Sequence, residues 1–382
     1  MIRSNLLLLN LILICFVCLI DATMKLKLLQ KPNSGAVCLD GSPPGYYYRL
    51  SKTNSKNWIL FIQGGGWCYH LKDCAYRAKT NLGSSKNWKP EVNGIGIFSS
   101  DAKVNPGFSD WNAVLFQYCD GASFSGNLNG TADYQGQKLH FRGASILKEL
   151  MLDLNSIGMQ QAKSVILTGC SAGGLSTILH ANRVKNLLPS TIKQFAAVPE
   201  SGFFLDHANI NNVNVYGREM RNVFKMQNCT SGVDPLCLIG ESIDSNCIFA
   251  SHAYKYLQVP SFVLNSKYDQ WQLGNVLGAD VPAFHDCVRS MQNCTTPQLQ
   301  AVIEYGAAFS RQLGFRDNYF VDSCWSHCQL TGNGGWHNVA IDRLTAHDAV
   351  WQWYKAGFPR QAYRLDDCDI NEKKPCNPTC KK

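Results

Sequence analysis

The chain has 382 residues, 45% of them hydrophobic, with 36 basic and 28 acidic side chains for a formal charge of +8. That is ample material for a large core, and no interior Pro/Ser linker, low-complexity tract or repeat divides it, which excludes a solenoid or a string of tethered modules. The basic excess is spread without a dense Lys/Arg block; it gives no footprint for nucleic acid, and would serve an anionic polymer only by weak steering.

Residues 1–22 read as a signal peptide. Arg3 supplies the positive start, Leu6–Ile20 is an apolar run broken only by Asn10, and Ala22 offers a small residue for cleavage. The run is shorter than the ~20 residues of a spanning helix, and no later stretch is long and apolar enough to span a bilayer. The expected organisation is a signal peptide, 1–22, then one α/β domain with long insertions, 23–382, secreted to the extracellular space or the cell wall.

Tyr46–Leu50 and Trp58–Gln63 read as successive strands joined by a turn at Lys52–Lys56. The second ends in Gly64-Gly65-Gly66-Trp67, a glycine-rich loop of the kind esterases use to bind an oxyanion, with Gln63 where those enzymes carry His. The polar, glycine-rich segment Thr80–Asp110 reads as a surface insertion. Ala113–Tyr118 is a further strand. In His140–Gly158, Ile146, Leu147, Leu150, Met151 and Leu154 recur at helical spacing before a terminating glycine.

Ser164–Gly169 is then a short apolar, β-branched strand running into Gly169-Cys170-Ser171-Ala172-Gly173, with a helix-forming stretch, Leu175–Leu188, directly behind it. Strand, G-x-S-x-G and helix in that order make a nucleophile elbow. Ser171 is the candidate nucleophile, and the backbone N–H groups of Gly66, Trp67 and Ala172 are the candidate oxyanion-hole donors. Removing one such donor typically costs about a hundredfold or more in rate.

Ser261–Lys267 is another strand, and it delivers Asp269 at its carboxyl end as the candidate acid. Pro297–Leu313 and Val339–Tyr354 read as helices. Strands alternating with helices imply a mostly parallel sheet covered on both faces, with ligands outside the carboxyl ends of the strands, where both glycine loops lie. A serine hydroxyl also needs a general base. His327, His337 and His347 follow Asp269; His347 falls in a helical pattern and reads as structural, whereas spacing alone does not choose between His327 and His337.

Seventeen cysteines include two in the leader, Cys15 and Cys18, leaving fifteen for the mature chain. Such density in a secreted chain means disulfides. The close pairs are Cys68/Cys74, Cys229/Cys237, Cys287/Cys294 and Cys376/Cys380, and Cys170 is the candidate odd thiol. Cys324, His327 and Cys328 lack paired C-x-x-C spacing, so no metal is expected. Asn129, Asn228 and Asn293 head glycosylation sequons; Asn377 is excluded by the proline after it.

Seven segments resemble the pectin acetylesterase family, which includes plant pectin acetylesterases and the animal Wnt deacylase Notum. They are GGGWC (Gly64–Cys68), YCDGASFSG (Tyr118–Gly126), GCSAGG (Gly169–Gly174), SGFFLD (Ser201–Asp206), YDQWQ (Tyr268–Gln272), SCWSHCQ (Ser323–Gln329) and CNPTC (Cys376–Cys380). GGGWC and the His-Cys-Gln at 327–329 are similar to the plant branch, while Pro199-Glu200 departs from the lead-in expected before SGFFLD. The resemblance implies an α/β-hydrolase-like fold with disulfides and no cofactor. It puts the nucleophile on Ser171, the acid on Asp269 and the base on His327, leaving His337 without a counterpart. The expected reaction is removal of acetyl groups from an anionic, pectin-like polysaccharide, with Trp67, Trp271 and Trp325 as candidate walls of a small acyl pocket. A Notum-like removal of a fatty acyl group, or a carbohydrate- or lipid-binding protein with a silent triad, are the alternatives.

Overall fold

The computed structural model describes residues 22–30, 35–314, 318–329, 332, 334–366, 370 and 376–380. The expected signal peptide therefore lies, apart from Ala22, outside the described residues. Ten strands form one sheet. In chain order they are β1 (Thr23–Leu28), β2 (Gly45–Arg49), β3 (Asn57–Ile62), β4 (Glu91–Asn93), β5 (Asn112–Phe116), β6 (Ser164–Cys170), β7 (Gln194–Glu200), β8 (Phe262–Ser266), β9 (Asn318–Asp322) and β10 (Tyr363–Leu365). Their order across the sheet is β10-β9-β8-β7-β6-β3-β5-β2-β1-β4. From β5 to β10 every neighbouring pair is parallel, and β2, β1 and β4 extend the other edge by antiparallel pairing.

The central strands are apolar on both faces because both are covered. Trp58, Leu60, Ile62, Val165 and Leu167 point into one core layer; Ile59, Phe61 and Ile166, one residue out of phase, point into the other. The first layer is roofed by α1 (Gly143–Asp153), α2 (Ala172–Leu187), α3 (Val215–Met226) and α4 (Thr296–Leu313), and the second by α5 (Ala346–Lys355). The α1 stripe of Ile146, Leu147, Leu150 and Met151 is buried as its spacing requires, and Gly158 ends the following turn at φ 109°.

Several expectations need correction. The helix expected from Val339 begins only at Ala346; Ala340–Ile341 and Leu344–Thr345 form a small hairpin instead. Segment Thr80–Asp110 supplies edge strand β4 and packs Phe98 edge-on against Phe61, 5.2 Å between ring centres. Six disulfides join described cysteines: Cys38–Cys119, Cys68–Cys74, Cys170–Cys328, Cys237–Cys247, Cys287–Cys294 and Cys324–Cys380. Cys229 and Cys237 are not partners, nor are Cys376 and Cys380; Cys376 is disulfide-bonded elsewhere. The free thiol among the described residues is buried Cys229, not Cys170.

Candidate active site

Strand β6 is buried along its whole length, and at Ser171 the chain turns into α2 with φ 61° and ψ −128°. Positive φ is costly for a side-chain-bearing residue, and such strain at a strand-to-helix turn defines the elbow. Crowding enforces the turn. A Cβ on Gly64 would sit 2.8 Å from Ser171 Cβ and overlap the Cys170 carbonyl; one on Gly173 would overlap the Ile62 carbonyl. The glycines thus let the loop after β3 touch the elbow after β6. The Ser171 N–H donates to the Glu200 carbonyl at 3.1 Å. The unusual Pro199-Glu200 lead-in therefore meets the elbow through its backbone.

The three N–H groups singled out from sequence, on Gly66, Trp67 and Ala172, have no hydrogen-bond acceptor among the described residues. Two of them lie on the β3 loop and one opens α2, where the helix dipole adds partial positive charge. A bonded chain couples the two. Tyr118 Oη donates to the Gly66 carbonyl at 2.8 Å and accepts from the Ser123 N–H at 2.9 Å. Ser123 Oγ accepts from Trp67 Nε1 at 2.8 Å and donates to the Ala172 carbonyl at 2.7 Å. Gln63 accepts the Tyr118 N–H at 3.0 Å, so it braces β5 against β3.

Asp269 follows β8, is fully buried, and caps a short helix by accepting the Gln272 N–H at 3.0 Å through one oxygen. Its other oxygen lies 2.7 Å from His327 Nδ1. That pairing orients the imidazole and leaves Nε2 facing away from the carboxylate. His327 Nε2 is buried without a hydrogen-bond partner among the described residues. His327 sits in an irregular segment after β9, and the disulfide between Cys170 and Cys328 joins the residue before Ser171 to the residue after His327, with Cα atoms 5.6 Å apart. Elbow, acid and base segment thus meet outside the carboxyl ends of β6, β8 and β9. At the foot of the base segment, burial raises the Asp322 carboxyl to about 7, although it accepts the Cys324 N–H at 2.9 Å. Burial likewise raises Asp120, which anchors the Tyr118–Ser125 loop through the N–H groups of Ala122 and Phe124, to about 7.

Four rings crowd the base. Trp67, Phe204 and Trp271 stand edge-to-face at centroid spacings of 5.0–5.5 Å; Tyr216, from α3, closes the group at 5.9–6.2 Å. Trp271 and Phe204 each lie 6.3 Å from the His327 ring. Phe204 and Tyr216 were missed from sequence: the first lies in SGFFLD, quoted there without a role, and the second in a helix that no motif marks. Trp325 is not part of the group; its Nε1 donates to the Val288 carbonyl. His347 is buried in the opposite layer, where its ring nitrogens meet Asp348 and the Pro106 carbonyl, and His337 takes no part in the cluster. The ligating atoms of Cys170, His327 and Cys328 lie within 4.8 Å of one another. Both sulfurs are tied up in one bridge, and Cys324 in another, so none of the three cysteines offers a metal the thiolate it would need.

The architecture matches a solved crystal structure of the Wnt deacylase Notum from Drosophila, with a TM-score of 0.81 and 25% identity over 94% of this chain and 100% of that one. Among curated proteins, pectin acetylesterase 4 of Arabidopsis thaliana is 36% identical over 94% of this chain and 88% of its own length. Palmitoleoyl-protein carboxylesterase notum2 of Xenopus laevis is 29% identical over 94% of this chain and 74% of its own. Fold and relatives together define a carboxylic-ester hydrolase of α/β type. The chain belongs to the pectinacetylesterase family, whose pattern matches residues 19–381.

Proposed function

We propose that this esterase removes acetyl groups from cell-wall-type polysaccharide, pectin first among them, through a Ser171–His327–Asp269 triad and an acyl-enzyme. His327 Nε2 takes the Ser171 proton as Oγ attacks the acetyl carbonyl. The N–H groups of Gly66, Trp67 and Ala172 hold the oxyanion. Collapse expels the sugar hydroxyl, protonated by His327, and water activated by the same base releases acetate. Asp269 stabilises the imidazolium. No metal or cofactor enters these steps.

The observation that carries the acetyl assignment is the ring cluster beside His327. Rings packed at these spacings fill the space between them, which favours a short acyl group beside the base over a long alkyl chain. Pectin acetylesterase 4 is also more similar to this chain than notum2, at 36% against 29%. We read the chain as a secreted single domain, 23–382, after a cleaved leader, 1–22. The disulfides and the exposed side chains of Asn129, Asn228 and Asn293 support that route. No helix among the described residues is long and apolar enough to cross a membrane.

The test is acetate release from acetylated pectin, xylan and chitin side by side, with p-nitrophenyl esters from acetate to decanoate. Pectin and the acetate ester should be preferred. Preference for the long esters would make the protein a fatty-acyl hydrolase. Ser171→Ala should lower turnover by about a thousandfold or more; unchanged hydrolysis would remove the triad, and absence of hydrolysis in the parent chain would favour a binding protein.

A further inference from the structure

The candidate base stands in a segment, Ser323–Gln329, without helix or strand. Five ties hold it. Cys324 is bonded to Cys380. The Ser326 carbonyl accepts the Gln270 N–H at 3.2 Å. His327 meets Asp269, the Cys328 N–H donates to Ser201 Oγ at 3.1 Å, and Cys328 is bonded to Cys170. Of these, only the last reaches the strand that carries Ser171. It is also covalent, and it spans 158 residues of sequence to do so.

We propose that the Cys170–Cys328 disulfide is a catalytic latch: it positions His327 Nε2 over Ser171 Oγ, acting through the base and not on the substrate. The inference rests on the triad proposed above. Proton transfer needs heavy atoms within about 2.6–3.2 Å, and a displacement of about 1 Å can cost a hundredfold. Asp269 fixes the rotation of the imidazole, but the backbone beneath it is irregular. Without the bridge, none of the bonds named here runs directly from the base segment to the elbow.

The latch is also open to reagents. Cys328 is half-buried, as is the disulfide-bonded Cys376, whereas both cysteines of each of the other five bridges between described residues are buried. A dithiothreitol thiolate attacks Cys328 Sγ; the disulfide breaks and Cys170 leaves as a thiolate that takes a proton. The second dithiothreitol thiol then closes on the mixed disulfide and frees Cys328. The bridge gains two electrons, and dithiothreitol is oxidised to its cyclic disulfide.

The experiment titrates the native protein with dithiothreitol, follows p-nitrophenyl acetate hydrolysis, and maps alkylated cysteines by peptide mass spectrometry. Turnover should fall at least about tenfold, with KM within about twofold, in step with alkylation of Cys170 and Cys328 and before Cys237 and Cys247 open. Reoxidation with glutathione disulfide should restore it. The double variant C170A/C328A should show the same low kcat without reductant. The control C237A/C247A should keep both full turnover and reductant sensitivity. Full kcat after the latch has opened, or in C170A/C328A, overturns the inference while an inactive Ser171→Ala leaves the triad standing. An active Ser171→Ala overturns the triad itself. If C170A/C328A does not fold, the titration of the native chain decides alone.

Discussion

Ser123 does more for the site than its distance from the motifs implies. Its hydroxyl bonds both to Trp67, which carries one candidate oxyanion donor, and to the carbonyl of Ala172, which carries another. Its backbone sits at φ 52°, a strained value held by the surrounding bonds. Ser123→Ala leaves the buried Trp67 Nε1 unpaired, at about 1–3 kcal/mol of stability, and frees the two halves of the hole to drift. We expect kcat on p-nitrophenyl acetate to fall about tenfold with little change in KM, since the donors act on the transition state. Ser123→Gly separates hydroxyl from strain, because glycine tolerates the backbone but also lacks the bond. Equal kcat losses in both variants confirm the hydroxyl; a fully active glycine variant assigns the effect to the backbone. Ser123 stood in plain view within YCDGASFSG, but its partners are 56 and 49 residues away, and no local pattern encodes them.

The elements that build the site differ in how clearly their residues announce them. Strands β3, β6 and β8 are apolar runs ending in glycine or aspartate turns, so their positions, and Ser171 and Asp269 as candidates, could be read directly. Strand β7 escaped, because Gln194, Pro199 and Glu200 give it the composition of a loop, yet it lies between β6 and β8 and is buried along most of its length. Tertiary placement overrides propensity there. The true start of α5 was legible: the Thr345 side chain accepts the Asp348 N–H at 3.1 Å, a capping pattern that outranks the apolar Val339–Ile341 before it. Of the close cysteine pairs, Cys68–Cys74 and Cys287–Cys294 are bridges, but the rest were not legible, since Cys237 bonds Cys247 while the nearer Cys229 stays reduced. Glycine placement yields a contrast at this scale. Gly173→Ala drives a Cβ into the Ile62 backbone and must push α2 off β3, costing about 3 kcal/mol or more and abolishing hydrolysis. Gly66→Ala meets nothing within 4 Å but must hold φ 65°, costing about 1–2 kcal/mol. Urea denaturation of the two variants tests the ranking, and equal losses would refute it.

For the molecule as a whole, buried ionisable groups set how stability follows pH. Burial raises Asp120 and Asp322 from 3.8 to about 7 and lowers buried His180 from 6.5 to about 3. Each carboxyl holds its proton more tightly when folded. Its contribution is complete below pH 3.8 and is lost as pH rises through about 7. His180 runs the other way: its contribution is complete above 6.5 and is lost as pH falls toward 3. From pH 4 to 6.5 two contributions decline and one grows, so these groups together make the protein less stable as pH rises. Asp322→Asn should flatten that decline, and His180→Gln, which keeps a donor for the Ser123 carbonyl, should steepen it. Urea titrations at pH 4, 5.5 and 6.5 measure both; slopes identical to the parent would rule out burial as the cause.

The order of strands carries one more consequence, for how the protein is made. In the proposed triad the serine follows β6, but its acid waits for β8 and its base for the segment after β9. A ribosome must therefore finish most of the message before the hydroxyl has anything to give its proton to. Under that triad every shorter nascent chain lacks its base, however well its early strands have settled, so the growing polypeptide could not deacylate whatever it meets before its synthesis is nearly complete.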